Sequence, residues 1–207
     1  MSAFQDYVGQ GQANPGGHYR LGLTTGLVTG LTAKQAFFSL FWANPTQYFR
    51  LLRLKVTAAV TTAFTTAQLS DVALYVNRGV SVAPSGGTAV LPIAVGNNVM
   101  ADTGVAAPME QLQSGFTGGA IQIATTGALT VGTRVQDTQA IAYDVFNIIA
   151  LGSADRSLLY DVANGLEYPL TLGANEGIEL VVPTAQGAAG VVKYYVDLVF
   201  CFNNATF

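Results

Sequence analysis

Residues 191–202, VVKYYVDLVFCF, set Val192, Tyr194, Val196, Leu198, Phe200 and Phe202 on one side of an extended chain. Lys193, Tyr195, Asp197, Val199 and Cys201 fall on the other. Successive side chains of a strand point to opposite faces, so period-two alternation identifies one. An unbroken apolar row opposed by mixed residues predicts a core strand with one face turned outward.

The same signal recurs upstream. Pro169–Leu172 and Gly177–Val182 flank Gly173-Ala-Asn-Glu-Gly177, a predicted turn with two glycines able to take positive φ. Gln35–Trp42 (QAFFSLFW) reads as a strand that stops at Asn44-Pro45. Tyr48–Thr61 reads as a longer one. Simple alternation puts Arg50, Leu52, Leu54, Val56, Ala58 and Val60 on one side of it, and Phe49, Leu51, Arg53, Lys55 and Thr57 on the other. Further strands are predicted at Val72–Arg78, at Thr88–Val95 after the turn Pro84-Ser-Gly-Gly87, at Ala120–Thr125 and at Gln139–Ile149. In the last of these Ile141, Tyr143, Val145 and Asn147 alternate, which favours a strand over a short helix.

Three stretches lack such patterning. Residues 1–17 are polar and Gly-rich and read as a flexible arm. Residues 96–119 read as a long irregular excursion with a short helix near Met109–Gln113, and residues 152–166 as a polar connection. One domain is expected over 18–207. About eight or nine strands with long connections predict an all-β fold, a jelly-roll-like β-sandwich with an extended N-terminal arm.

Half of the 207 residues are hydrophobic, so a large core is available. Charged residues make up only 10%, against about 25% in an average soluble protein. So few ionised groups leave much of the surface to be covered by neighbouring subunits, and self-association is the expectation. Net charge is −3 and the cations are scattered along the chain, the densest group being Arg50, Arg53 and Lys55. Phosphate recognition needs clustered cations, so direct nucleic-acid contact is not expected. Those three read as a solvated strand face or an interface salt bridge. The longest strongly apolar run, Ala36–Ala43, is far below the ~20 residues that span a bilayer. The opening Met-Ser-Ala-Phe-Gln-Asp lacks a secretory pattern.

Catalytic chemistry finds no constellation. The lone histidine, His18, lies in the Gly-rich arm, and no G-x-S-x-G elbow occurs. Gly26–Gly30 with Lys34 downstream lacks the Gly-Lys-Ser/Thr of a phosphate loop and reads as a bend between short strands. One cysteine, Cys201, and one histidine do not make a four-ligand zinc site, and a single cysteine forms no internal disulfide. Cys201 reads as a small buried apolar group or an edge position. Asp155 and Asp161 are the nearest approach to a calcium loop, and Glu176 and Glu179 the best local carboxylate pair. Asn204-Ala-Thr206 matches a glycosylation sequon only formally. The abundant aromatics interleave with apolar partners, which predicts core packing rather than sugar stacking. The expectation is a non-enzyme with no catalytic, cofactor or metal residues.

Arg50-Leu-Leu-Arg-Leu-Lys-Val56, Thr61-Thr-Ala-Phe-Thr-Thr66 and Val72-Ala-Leu-Tyr-Val76 resemble segments of small virion proteins of tailed bacteriophages. So do Thr24-Thr-Gly-Leu-Val-Thr-Gly30, Pro169-Leu-Thr-Leu-Gly-Ala-Asn-Glu-Gly-Ile178 and Ala188-Ala-Gly-Val-Val-Lys-Tyr-Tyr-Val196. The resemblance runs in outline over 20–202 and its motifs carry no catalytic residue. It implies a structural protein on the virion exterior, of the capsid decoration or cement type, with a jelly-roll-like domain. The implied partners are copies of itself, as a homotrimer or higher assembly, and the phage major capsid protein. A main coat or filament-forming subunit and a glycan-binding β-sandwich module are the alternatives.

Overall fold

A computed structural model describes residues 19–65, 70–90, 116, 119–146, 151–162, 169–187 and 189–204. The strands in chain order are β1 (Tyr19–Thr24), β2 (Val28–Thr29), β3 (Gln35–Trp42), β4 (Gln47–Thr62), β5 (Ser70–Arg78), β6 (Thr88–Val90) and β7 (Ile121–Ile123). They continue as β8 (Val135–Gln136), β9 (Ala142–Phe146), β10 (Ala154–Asp161), β11 (Leu170–Leu172), β12 (Glu176–Val182) and β13 (Val191–Asn204). No helix interrupts them among the described residues. The all-β expectation holds, with thirteen strands among the described residues rather than eight or nine.

They form two antiparallel sheets. The first has the order β1-β13-β4-β10, with β11 also on β4 and β2 also on β13. The second runs β6-β7-β3-β12-β5-β8, with β9 also on β5. Side chains from the two sheets meet in one core. Trp42 of β3 stacks on Phe202 of β13 with ring centroids 5.0 Å apart, and Phe37 of β3 stacks on Tyr194 of β13 at 4.1 Å. Such aromatic pairs each add about 0.5–1.5 kcal/mol beyond the area they bury. Trp42, Phe37, Phe49, Tyr194, Phe200 and Phe202 are therefore core, as the interleaving of aromatics with apolar partners predicts, whereas Tyr143 and Tyr195 are exposed.

β13 follows its alternation: Val192, Tyr194, Val196, Leu198, Phe200 and Phe202 are all buried. β4 does not. Val199 pairs Arg53 and Phe200 pairs Leu51, so Leu52 is an extra residue, a β-bulge that reverses the facing of everything before it. Phe49 and Leu51 thus join Leu54, Val56, Ala58 and Val60 in the core, while Arg50 turns outward with Arg53, Lys55 and Thr57. Simple alternation groups Arg50 with Leu54, Val56, Ala58 and Val60; the bulge separates it from them, because burying a guanidinium among aromatics costs far more than inserting one residue.

Three further expectations are corrected. Residues 152–166 are not merely a polar connection, since they contain β10, an eight-residue strand hydrogen-bonded to β4. Its inward side begins with Asp155 and Ser157 rather than with apolar residues, and Leu159 is bulged, which masks the strand pattern. In the turn before β12, Asn175 takes the positive φ (64°), not Gly173 or Gly177. Gly177 is needed for another reason: a Cβ there would lie 2.4 Å from the Leu40 carbonyl oxygen on β3. The Gln139–Ile149 strand is seen as Ala142–Phe146. The arm (1–17), Met109–Gln113, nearly all of 96–119, and the part of Thr88–Val95 beyond Val90 lie outside the described residues.

Candidate interaction surfaces

The residues considered for chemistry do not converge. Glu176 and Glu179 are three apart on β12 and point to opposite sides. Glu176 Oε2 accepts the Gly173 amide at 2.8 Å, and its Oε1 pairs with Arg78 Nη1 at 2.5 Å. It closes the turn. Asp155 pairs across from Ala58 and Asp161 from Arg53, on opposite faces of the sheet because Leu159 is bulged between them. Cys201 is buried rather than at an edge, beside Arg50, and burial pushes its thiol up to about 11, so it is a packed apolar group. Gly26 sits between β1 and β2 where a Cβ would lie 2.0 Å from the Thr125 carbonyl oxygen, a close backbone approach as the bend reading requires. Among the described residues no three His, Cys, Asp or Glu gather as metal ligands. His18 lies outside the described residues, as do Ala205 and Thr206 of the sequon.

What the fold does build is two contrasting outer surfaces. On the second sheet, Ser39, Gln122 and Glu179 point away from the core yet are buried. Segments 79–87 and 126–134 cover them, joined by the Ser85–Thr130 bridge and by Gly132, where a Cβ would lie 1.8 Å from the Val82 carbonyl oxygen. Arg134 reaches under this cover to Glu179, with Nη2 2.7 Å from Oε2 and Nε 2.7 Å from Oε1, and Gln136 Nε2 donates to Oε2 at 3.1 Å. Burial raises the Glu179 carboxyl above its ordinary value, with hydrogen bonds and charge from Arg134 opposing that rise. A narrow cavity lined by Ser39, Asn77, Arg134 and Glu179 remains beneath the cover.

The outer face of the first sheet is open around Tyr195, Arg156 and Leu158 and closes toward buried Cys201. Its register places Lys193 beside Ala59, then Thr24, Tyr195, Thr57 and Arg156 in one row. Gly22, Asp197, Lys55 and Leu158 form the next, and Arg20, Val199, Arg53 and Asp161 the one after. Cys201 and Arg50 follow. Six of the chain's nine Lys and Arg thus share this face, with two acids, Asp161 and Asp197, beside them among the described residues. Arg20 is held by Asp197 through two contacts of 2.8 and 2.6 Å, and the Arg53 Nε is buried without a partner. In the middle stands Tyr195, 44% exposed, with the Lys193 ammonium 5.6 Å from its ring centroid. Scattered in sequence, these cations are gathered by strand pairing. No sequence window holds that signal, because the four strands are far apart in the chain.

A third feature lies at the β8–β9 edge of the second sheet. Ile141, Tyr143 and Val145 are 44%, 56% and 41% exposed, and Val135 is 69% exposed. Residues 135–146 contain two acids, Asp137 and Asp144, and no Lys, Arg or Pro. Tyr143 donates its hydroxyl to Asp71 Oδ2 at 2.8 Å, a bond that raises its pKa, while Asp71 also accepts the Thr184 amide (3.0 Å) and hydroxyl (2.7 Å). The row is therefore fixed in position, although exposed.

No protein-family model matches the chain, and no curated protein sequence is significantly similar to it.

Proposed function

We propose that the protein is a non-enzymatic structural subunit that works by associating with copies of itself. The observation that carries this reading is the exposed apolar row Ile141, Tyr143 and Val145 on an edge strand. Natural monomers blunt such edges with lysine, proline or a covering loop, because an open apolar strand recruits other chains. Residues 135–146 contain neither lysine nor proline. The row is instead held rigid through Asp71, as a preformed contact surface is. The scarcity of charge over the whole chain points the same way.

Within that reading, the sandwich is of the jelly-roll kind. Its support is a strand order in which partners are distant in sequence, β1 on β13 and β3 on β12, as long crossing connections produce. The setting is the exterior of a phage virion, with a decoration or cement role and the major capsid protein as further partner; this rests on the resemblance of the Arg50–Val56 and Pro169–Ile178 segments. Sedimentation of the purified chain between about 1 and 100 µM tests self-association, and electron micrographs separate discrete oligomers from shells or filaments. Discrete oligomers fit a decoration protein and self-built shells a main coat subunit. A monomer throughout that range disproves the reading.

A further inference from the structure

We infer that the cavity beneath the cover of the second sheet holds one ordered water molecule, hydrogen-bonded between Asn77 of β5 and Arg134 of the covering segment. The cavity measures about 10 Å³, at the lower end of what admits a single water. Two buried polar atoms of its lining residues lack a hydrogen-bond partner among the described residues, and they are of opposite kind. Asn77 Oδ1 is an acceptor. Arg134 Nε carries a hydrogen to donate. It lies 2.7 Å from Glu179 Oε1, but its N–H is misaligned with that oxygen and makes no hydrogen bond to it.

The side chains around the cavity offer no remedy of their own. The Asn77 amide hydrogen-bonds to the Glu179 carboxylate, which assigns its nitrogen to the acid. Exchanging nitrogen and oxygen would set Oδ1 against a carboxylate that already accepts from Arg134 and Gln136. Arg134 is committed through Nη2 to Glu179 Oε2, which holds its guanidinium in place. The cover's other lining residues are Val80, Val82, Pro84 and Gly132, none with a polar side chain. Asn77 is 2% exposed, so bulk solvent does not reach Oδ1.

The two atoms select the occupant. It must donate to one and accept from the other. A metal or ammonium ion accepts nothing from Arg134, and a halide donates nothing to Asn77. The Glu179 charge is already matched by Arg134, so a further ion would be buried uncompensated. An organic ligand exceeds the space. Water donates and accepts, and fixing one molecule costs less than leaving two buried groups unmet. The Ser39 hydroxyl on β3, which also lines the cavity, is available as a third partner. So placed, the water fastens the segment 126–134 to the sheet at a point where the chain has no direct bond to make.

Crystal structures of the wild type and of Ser39→Thr at about 1.2 Å resolution test this. Threonine keeps the hydroxyl and adds a methyl group to the cavity wall. The wild type should show one solvent peak within about 2.7–3.2 Å of both Asn77 Oδ1 and Arg134 Nε, and S39T should lack it. In solution, water-oxygen relaxation dispersion should count one fewer long-lived water in S39T, with thermal melts checking that the variant folds. A wild-type cavity without density overturns the inference, as does Asn77 Oδ1 bonded to a protein donor. So does a peak that touches only one of the two atoms, or one that survives in S39T. A peak seen only in crystals grown with ammonium salts is an ammonium ion and overturns it too. Should S39T fail to fold, the wild-type density alone decides.

Discussion

The outer faces of the two sheets carry similar chemistry and meet opposite fates. On the second sheet Glu179 points outward and is only 1% exposed, sealed beneath 79–87 and 126–134 and gripped by Arg134. On the first sheet Arg156 and Tyr195 also point outward and stay exposed, with Lys55 half-buried beside them. A covered charge must be satisfied by its own chain, whereas an open one is available to a partner. The covered face is therefore where substitutions threaten the fold. The open face is where they are expected to leave the fold intact.

The largest effect is expected from Arg134→Ala. It leaves the Glu179 carboxylate buried without its cation, a loss of about 3–5 kcal/mol, seen as a lowered denaturant midpoint. The same substitution at Arg156 should leave the midpoint almost unmoved; equal losses would erase the distinction between the faces. Gly132→Ala comes next. Its Cβ meets the Val82 carbonyl oxygen at 1.8 Å, forcing the two covering segments apart. A loss of about 1–3 kcal/mol is expected, with faster amide exchange at Ser39 and Glu179.

Acidity probes the cover more gently. The Glu179 carboxyl lies above its ordinary value of 4.5, chiefly through burial, so the fold prefers its protonated form. The stability this group contributes is fully present below pH 4.5 and is lost as pH rises through the folded value. Stability measured against E179Q from pH 4 to 7 should therefore show the wild type relatively stronger at the acid end. A difference that instead grows toward pH 7 would mean that Arg134 outweighs burial. The smallest effect is expected on the open face, where Lys55→Gln shifts stability by no more than about 0.5 kcal/mol, read as an almost unmoved denaturant midpoint.

Much of the architecture was legible in residues 191–202 and 35–42, because a buried strand face writes its alternation directly into neighbouring positions. β10 was not legible as a strand: the side it turns inward begins with Asp155 and Ser157, and the Leu159 bulge breaks the alternation. The candidate surfaces were legible only in part. Ile141, Tyr143 and Val145 stood out as an alternating row, but nothing local showed that the row faces solvent rather than core.

The amino-acid sequence by itself determined that this chain makes sheets, that β13 has one apolar side, and that charged side chains are only 10% of it. Pairing decided the rest. The Leu52 bulge turned Arg50 outward, and antiparallel registry brought Arg20, Arg53, Lys55, Arg156 and Lys193 onto one surface from positions up to 173 residues apart. Facing depends on short-range parity, which a sequence displays. Gathering depends on which strands become neighbours, and that is settled only when the whole core closes.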